Sequence, residues 1–475
     1  MRVFSGNKKR DGGIAMNEQG KKLGTYLKVS YGLADYGFMF MVTMSNTFLL
    51  MFYTDYAGIT AAAAGTLMMV GRIIDSISPP IIGAAIEKSN LRWGKYRSWV
   101  LIGAPLILLL NGIMFTNNSM DMIPKAITAC IIYAAFCIAT NIAYTGYTSL
   151  SSSLTDDPKE RVHLSTFRGQ GGAIGKIFAG FFILPLIVFF GHGEENVAGF
   201  TWTAFLVGLI CFLCYMNLIY ASKGKDIQNE PVKVNAGAQE KLKVGQMVSL
   251  VFHDRNLLLL FFADITRILS LLMTYAMFPY FFQYVAKNKD ATSTFFGIVN
   301  ILALVGATSV PLITKFLSKK KAYMVGNMIL SVCMLISIVF SSNITFIIIM
   351  ISVGYLGYSW PNVVNINMYA DTVDYCEWKT GRNARGVYFS LFQLSIKIAA
   401  VFSTAIAGFG LSIVGYVGGT EPSTQVVTGI RFMAMGMPAA FLIISTVLMF
   451  FYGLTPAKMD KVREELNAKR AKAAK

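Results

Sequence analysis

The stretch 71–99, GRIIDSISPPIIGAAIEKSNLRWGKYRSW, decides how the rest of the chain is read. It begins inside an apolar run that holds Arg72 and Asp75, meets Pro79 and Pro80, and closes on a basic cluster of Lys88, Arg92, Lys95 and Arg97. Ionisable side chains at membrane depth are costly and are kept for function. A basic cluster just beyond an apolar span marks the loop as cytoplasmic. One segment therefore states both a candidate site and an orientation.

Working outward, the pattern repeats along the chain. Runs of the roughly 20 residues that cross a hydrocarbon core centre near Met41, Met69, Ile107, Tyr133, Ala179, Gly208, Met273, Leu304, Leu330, Ser352, Val401 and Ile443. The loops 53–60, 191–199 and 341–344 hold no Lys or Arg, whereas 88–97, 159–161, 223–243, 315–321 and 379–385 are basic. That alternation predicts an all-α membrane protein with twelve transmembrane helices and both termini cytoplasmic. Lys287 and Lys289 are a small exception on the outer side.

Composition agrees. Of 475 residues, 55% are hydrophobic and 14% charged, and the mean hydropathy is +0.54. A soluble protein carries roughly a quarter charged residues, so lipid must solvate much of this surface. The net charge of +17 lies in short loops between spans, where it sets orientation rather than binding nucleic acid. Cys211 and Cys214 form a C-x-x-C with no activating neighbour and read, like Cys130, Cys137, Cys333 and Cys376, as small buried residues. His163, His192 and His253 have no metal-ligand spacing. With no nucleophile–base or metal constellation, the chain reads as no enzyme, with no cofactor and no metal site.

A polar stretch from Ser222 to about Gln246 divides the spans six and six. The expected organisation is a cytoplasmic segment 1–26, a six-helix bundle 27–221, a cytoplasmic middle loop 222–254, a second bundle 255–454 and a cytoplasmic tail 455–475. Met16 is the expected true start, and the tail from Lys458 is expected to be a solvated helix with no part in chemistry. The halves echo each other, IEKSNLRWGKYRSWVLIG at 86–103 against ITKFLSKKKAYMVGNMIL at 313–330, and GKIFAG at 175–180 against IKIAAV at 396–401. Related halves place a substrate site near the midplane between them, with Lys176 and Lys397 as symmetry mates facing it.

Asp35, Arg72, Asp75, Lys176, Asp264, Arg267 and Lys397 fall within or at the edge of spans. Arg72 with Asp75, and Asp264 with Arg267, have the i,i+3 spacing of a structural pair, the reading preferred for the second. Asp75 reads as functional. It stands one turn before Pro79, where the helix ladder breaks and carbonyls are freed, and a carboxylate beside freed carbonyls takes a proton or a small cation. Lys397 is its natural counter-charge. Lys176 has no acidic neighbour in sequence, which points either to an acidic or polyhydroxylated substrate or to a structural pairing with Asp35.

RxxD…P…G…RWGKxR after the second span, AAAAGTLMMVGRIID at 61–75 and ADTVDYCEWKTGR at 370–382 resemble the glycoside–pentoside–hexuronide:cation symporters, from about Lys28 onward. The resemblance implies a major-facilitator fold of two pseudo-symmetric six-helix bundles working as a monomer by alternating access in the cell inner membrane. It implies a cation-coupling site of Asp75, Asn141 and Lys397. It also implies an inner gate in which Asp371, Asp374 and Glu377 meet arginines such as Arg161, Arg382 and Arg385 across the bundle interface. Two departures matter. Pro79 replaces a second cation-site acid, which favours H+ over Na+ as coupling ion. Met39, Tyr144 and Thr148 replace the acids and tryptophan of melibiose-type sugar sites while Arg168 is kept. With Lys176 and Gln393 added, and Asp35 standing in for the missing acid, the substrate-binding set suits an anionic sugar such as a hexuronide. The alternatives are a lysolipid or amphiphile carrier of the same fold and an uncoupled sugar facilitator; the expected partners are the sugar and membrane lipid.

Overall fold

The computed structural model describes residues 23–89, 91–155, 157–226, 254–341, 343–381 and 385–473. Among them, twelve helices are long and apolar enough to cross a membrane. The first half holds α1 (Thr25–Met51), α2 (Ala61–Lys88), α3 (Arg97–Met114), α4 (Met122–Leu154), α5 (Pro158–Phe190) and α6 (Val197–Ala221). The second holds α7 (Arg255–Tyr280), α8 (Ala291–Phe316), α9 (Lys319–Val339), α10 (Ile344–Thr380), α11 (Arg385–Ile413) and α12 (Thr424–Phe450). A further helix, α13 (Pro456–Ala473), follows. The expected start at Met16 and most of the middle loop lie outside the described residues.

Local chemistry sets the helix ends. Asp157, Asn196, Asp254, Ser318, Asn343 and Ser423 each accept a backbone N–H of the helix they precede, satisfying donors the ladder leaves over. Gly381, at φ 68°, takes the left-handed conformation that ends α10. One face of almost every span is buried on its neighbours, and large apolar residues such as Ile131, Phe182, Val339 and Val447 cover the outside, the pattern of helices solvated by lipid.

The halves meet along α2 with α11, α5 with α8 and α1 with α7. Contact is closest at the end away from the basic loops. There Gly65 of α2 abuts the Gly408 backbone and Gly180 of α5 abuts the Phe296–Gly297 backbone, each so close that a Cβ would collide. At the basic end of the same helices, Gly83, Gly169 and Gly386 have nothing within 4 Å of an added Cβ. The structure is therefore shut at one end and open at the basic end.

Candidate functional site

Pro79 has no N–H to give the carbonyl of Asp75, four residues earlier. That carbonyl instead accepts Asn141 Nδ2 at 3.0 Å and Lys397 Nζ at 3.2 Å. The same two donors take the carboxylate, Asn141 at 2.9 Å on Oδ1 and Lys397 at 2.6 Å on Oδ2, and Asn141 also reaches Ser78 Oγ at 2.8 Å. Three helices thus converge on Asp75: its own α2, α4 and, from the other half, α11. The residue is 8% exposed, and each carboxylate oxygen accepts from one nitrogen donor. Lys397 holds the position a bound cation would need beside these oxygens. Arg72 does not neutralise Asp75; it bonds Asn46 Oδ1 on α1 and lies over the Tyr133 ring.

Asp35 is held differently. It is 5% exposed on α1, makes no hydrogen bond or ion pair with any described residue, and its Oδ1 is buried without a partner. It rests on α5 at Gly172, where a Cβ would stand 2.4 Å from Oδ2. Arg168 and Lys176 lie one turn to either side of Gly172, hence on the same face of α5. Arg168 is half-buried and Lys176 exposed, and neither side chain makes a hydrogen bond or ion pair among the described residues. The proposed Asp35–Lys176 ion pair is not formed. Nor do the two lysines behave as mates: Lys397 is paired and Lys176 is not.

Of the other positions expected to bind sugar, Met39 and Tyr144 lie beside this face. Tyr144 stacks on Phe38 with centroids 4.3 Å apart, Thr148 bonds back to the Tyr144 carbonyl at 2.9 Å, and Met39 packs beside Gly172. Gln393 is exposed on α11 toward the open end. Asp264 and Arg267 form a buried pair in which Nε and Nη2 both donate to Oδ1; Ser395 donates to Oδ2 at 2.7 Å and Arg267 Nη1 donates to Asn362 Oδ1 at 2.8 Å.

At the basic end Asp371 is 7% exposed and bonds Lys319 and Arg463, each at 2.6 Å. Both partners belong to its own half, so in this open state Asp371 does not meet an arginine across the interface. Arg161 bonds the Thr155 carbonyl at 2.9 Å and Arg385 lies over Phe389. Asp374 and Glu377 are half-buried, and Arg382 lies outside the described residues. Arg463 comes from α13, most of whose surface is exposed, as expected of a solvated helix, but one face of which packs on the second half. Its Met459, Val462 and Leu466 are buried and Trp378 donates to its Glu465 at 2.6 Å. An apolar stripe among Lys and Glu residues was the sequence signal passed over.

The shut end is closed by a cluster the sequence reading did not single out. Asp55, in the π-turn after α1, accepts Tyr284 at 2.7 Å and Tyr416 at 2.5 Å from the second half, and Thr54 bonds Tyr280 at 2.8 Å. Burial pushes the Tyr416 hydroxyl far up, with Tyr280 and Asp55 adding to it, so it remains a donor. Glu195 faces Lys289 at 3.8 Å beside it.

Comparison with known proteins decides what two such halves, shut at one end and joined at mid-depth, belong to. The family described as MFS/sugar transport protein matches residues 30–456. The chain is a member of that family. This MFS protein is similar to an isoprimeverose transporter of Lactiplantibacillus pentosus, 29% identical over 93% of this chain and 90% of the relative. It is 26% identical to a glucuronide carrier protein homolog of Escherichia coli (strain K12), over 92% and 94%. The nucleoside transporter NupG shares the fold with a TM-score of 0.62 at 12% identity, over 90% of this chain and 99% of that one. The MFS protein is thus a multi-pass membrane transporter of the glycoside–pentoside–hexuronide symporter type and not an enzyme.

Proposed function

We propose that this carrier imports an anionic sugar, a hexuronide or its glycoside, together with a proton, by alternating access across the cell membrane. The basic loops and both chain termini face the cytoplasm, so the state seen here opens inward. The observation that carries the reading is the α5 face at the open end, where Arg168 and Lys176 flank Gly172 and neither makes a hydrogen bond or ion pair among the described residues. Two unmatched cations in a sugar carrier suit a carboxylate-bearing sugar. The glucuronide carrier homolog among the relatives supports the same class. A proton is favoured over sodium because hard cations take oxygen ligands, whereas the oxygens of Asp75 are occupied by an ammonium and an amide. Asp75 and Lys397 join the halves at mid-depth, and the Asp371, Asp374 and Glu377 region forms the inner gate when the open end closes.

One proton with one monoanion moves no net charge, so the test reads protons rather than current. Reconstituted protein is given methyl β-glucuronide or methyl β-glucoside, each with and without sodium, and the internal pH is followed. Sodium-independent acidification with the glucuronide alone is expected, and it is lost in Lys176→Ala. Equal response to the neutral glucoside, with Lys176→Ala harmless, would overturn the anionic reading; an absolute need for sodium would overturn the proton.

A further inference from the structure

Resting on that proton-coupled reading, we propose that the coupling proton is carried by Asp35, between Arg168 and Lys176, and that Asp75 is a structural tie between the halves. Each acid's surroundings argue for its part. Asp75 has every hydrogen-bonding need met in place, including a 2.6 Å ion pair to Lys397. A proton added there would have to displace Lys397 and strand a buried ammonium. Asp35 has no such tie. Its Oδ1 is buried without a partner, the arrangement in which a carboxylate costs most and a carboxylic acid least.

The groups that face Asp35 complete the argument. They are Tyr31 on its own helix, Tyr144 and Tyr147 on α4, Tyr215 on α6, and Arg168 and Lys176 on α5. None of the hydroxyls bonds the carboxylate: Tyr147 donates to the Tyr31 carbonyl at 2.8 Å, Tyr31 leans to the Tyr147 carbonyl at 3.5 Å, and Tyr215 has no partner. Among the described residues, the charges in reach are the two cations that the substrate anion needs. Ionised Asp35 is therefore an internal competitor for that anion. A proton arriving from the outer side, when that side of the carrier is open, bonds to a carboxyl oxygen of Asp35, cancels its charge and leaves both cations to the sugar. When the sugar leaves, Asp35 again has two cations beside it and the proton is released. Proton and anion thus favour each other's binding, which is what symport requires. Gly172 is the enabling residue, because any side chain there would push the carboxylate off the α5 face.

The test needs no transport. Infrared difference spectra of the purified carrier are recorded across a titration from about pH 5 to about pH 9. A protonated-carboxyl band is expected in the wild type, in Asp75→Asn and in Asp264→Asn, and to vanish in Asp35→Asn. Asp35→Glu, the second variant, should restore a band at a displaced frequency, which separates loss of the site from loss of the fold. Adding methyl β-glucuronide should move the midpoint upward by about one pH unit, a tenfold linkage. A band that survives Asp35→Asn and disappears in Asp75→Asn, or folded wild type with no titrating band, would overturn the proposal. A band that depends on Asp35 but ignores the glucuronide leaves the proton site standing and removes the anionic substrate instead.

Discussion

Asp75 and Asp35 are both carboxylates buried in the first six helices, and they are held in opposite ways. Asp75 sits where Pro79 has freed a carbonyl, and the freed carbonyl and the carboxylate share two donors, one of them from the other half of the molecule. Asp35 sits against Gly172 of α5 with its Oδ1 buried and unbonded among the described residues, between two cations that make no ion pair among them either. The contrast teaches that depth in the membrane does not mark an acid as the one that works. A saturated acid fixes geometry; an acid left unsaturated beside unmatched cations is the one whose charge can change cheaply during a cycle.

The strongest way to break the comparison is to cut the tie. Lys397→Ala leaves Asp75 buried without its counter-charge and should lower stability by about 3 kcal/mol, read as thermal unfolding in detergent. The double variant Asp75→Asn with Lys397→Ala should recover most of that loss. If the double variant is no better than the single, the two residues are not a coupled pair. Asp35→Asn, by contrast, removes no partner and should leave unfolding unchanged or delayed.

A second contrast uses two glycines of one helix. Gly172→Ala drives a methyl group into Asp35 and should cost about 2 kcal/mol of overpacking and abolish pH-driven uptake, whereas Gly169→Ala, with nothing within 4 Å of its Cβ, should leave both nearly as they were. Equal effects at the two positions would mean that Asp35 does not depend on the α5 face.

The shut end offers a third. Tyr416→Phe removes one donor from Asp55 and should weaken closure by about 1.5 kcal/mol, the scale of a hydrogen bond to a charged group. Spin labels on the Tyr53–Thr60 and Tyr416–Thr424 loops should then show a larger population of long distances. An unchanged distribution would show that the glycine contacts alone hold that end. The smallest effect is expected at Asp371, a third buried acid, shared between two cations. Arg463→Gln leaves Lys319 in place and should cost about 0.5 kcal/mol, visible as a slight loss of thermal stability; a loss as large as that of Lys397→Ala would make α13 a principal support of the open state.

These contrasts also mark how far the sequence could be read. The spans and their grouping in sixes were legible because a twenty-residue apolar run has few other uses and because basic residues gather in alternate loops. The meeting of Asp75 with Asn141 and Lys397 was legible, though read as a cation-coupling site, since a proline four residues on announces a free carbonyl and the resemblance named both partners. Its saturation was not, because no local pattern says how many donors converge from α4 and α11. Asp35 was legible as an acid of the substrate-binding face and as a possible partner of Lys176, but not as an unbonded one. Its lack of a partner is a property of the α1–α5 contact, and Gly172 gives no hint of which residue its bareness admits. Asp55 was hidden for the same reason: FYTDY reads as a span end, and its tyrosine partners lie more than two hundred residues away in Tyr284 and Tyr416. The cross-half pairing expected of Asp371 is not formed with the basic end open, where that acid goes to Lys319 and Arg463.

The most direct test of the account is the driving force for accumulation. Proteoliposomes would be loaded with methyl β-glucuronide under an imposed pH gradient or under an imposed membrane potential alone. The account predicts accumulation with the pH gradient, none with the potential, and in Asp35→Asn no accumulation from either while exchange of labelled for unlabelled glucuronide continues. Accumulation driven by the potential alone, or a pH-driven signal that survives Asp35→Asn, would contradict it.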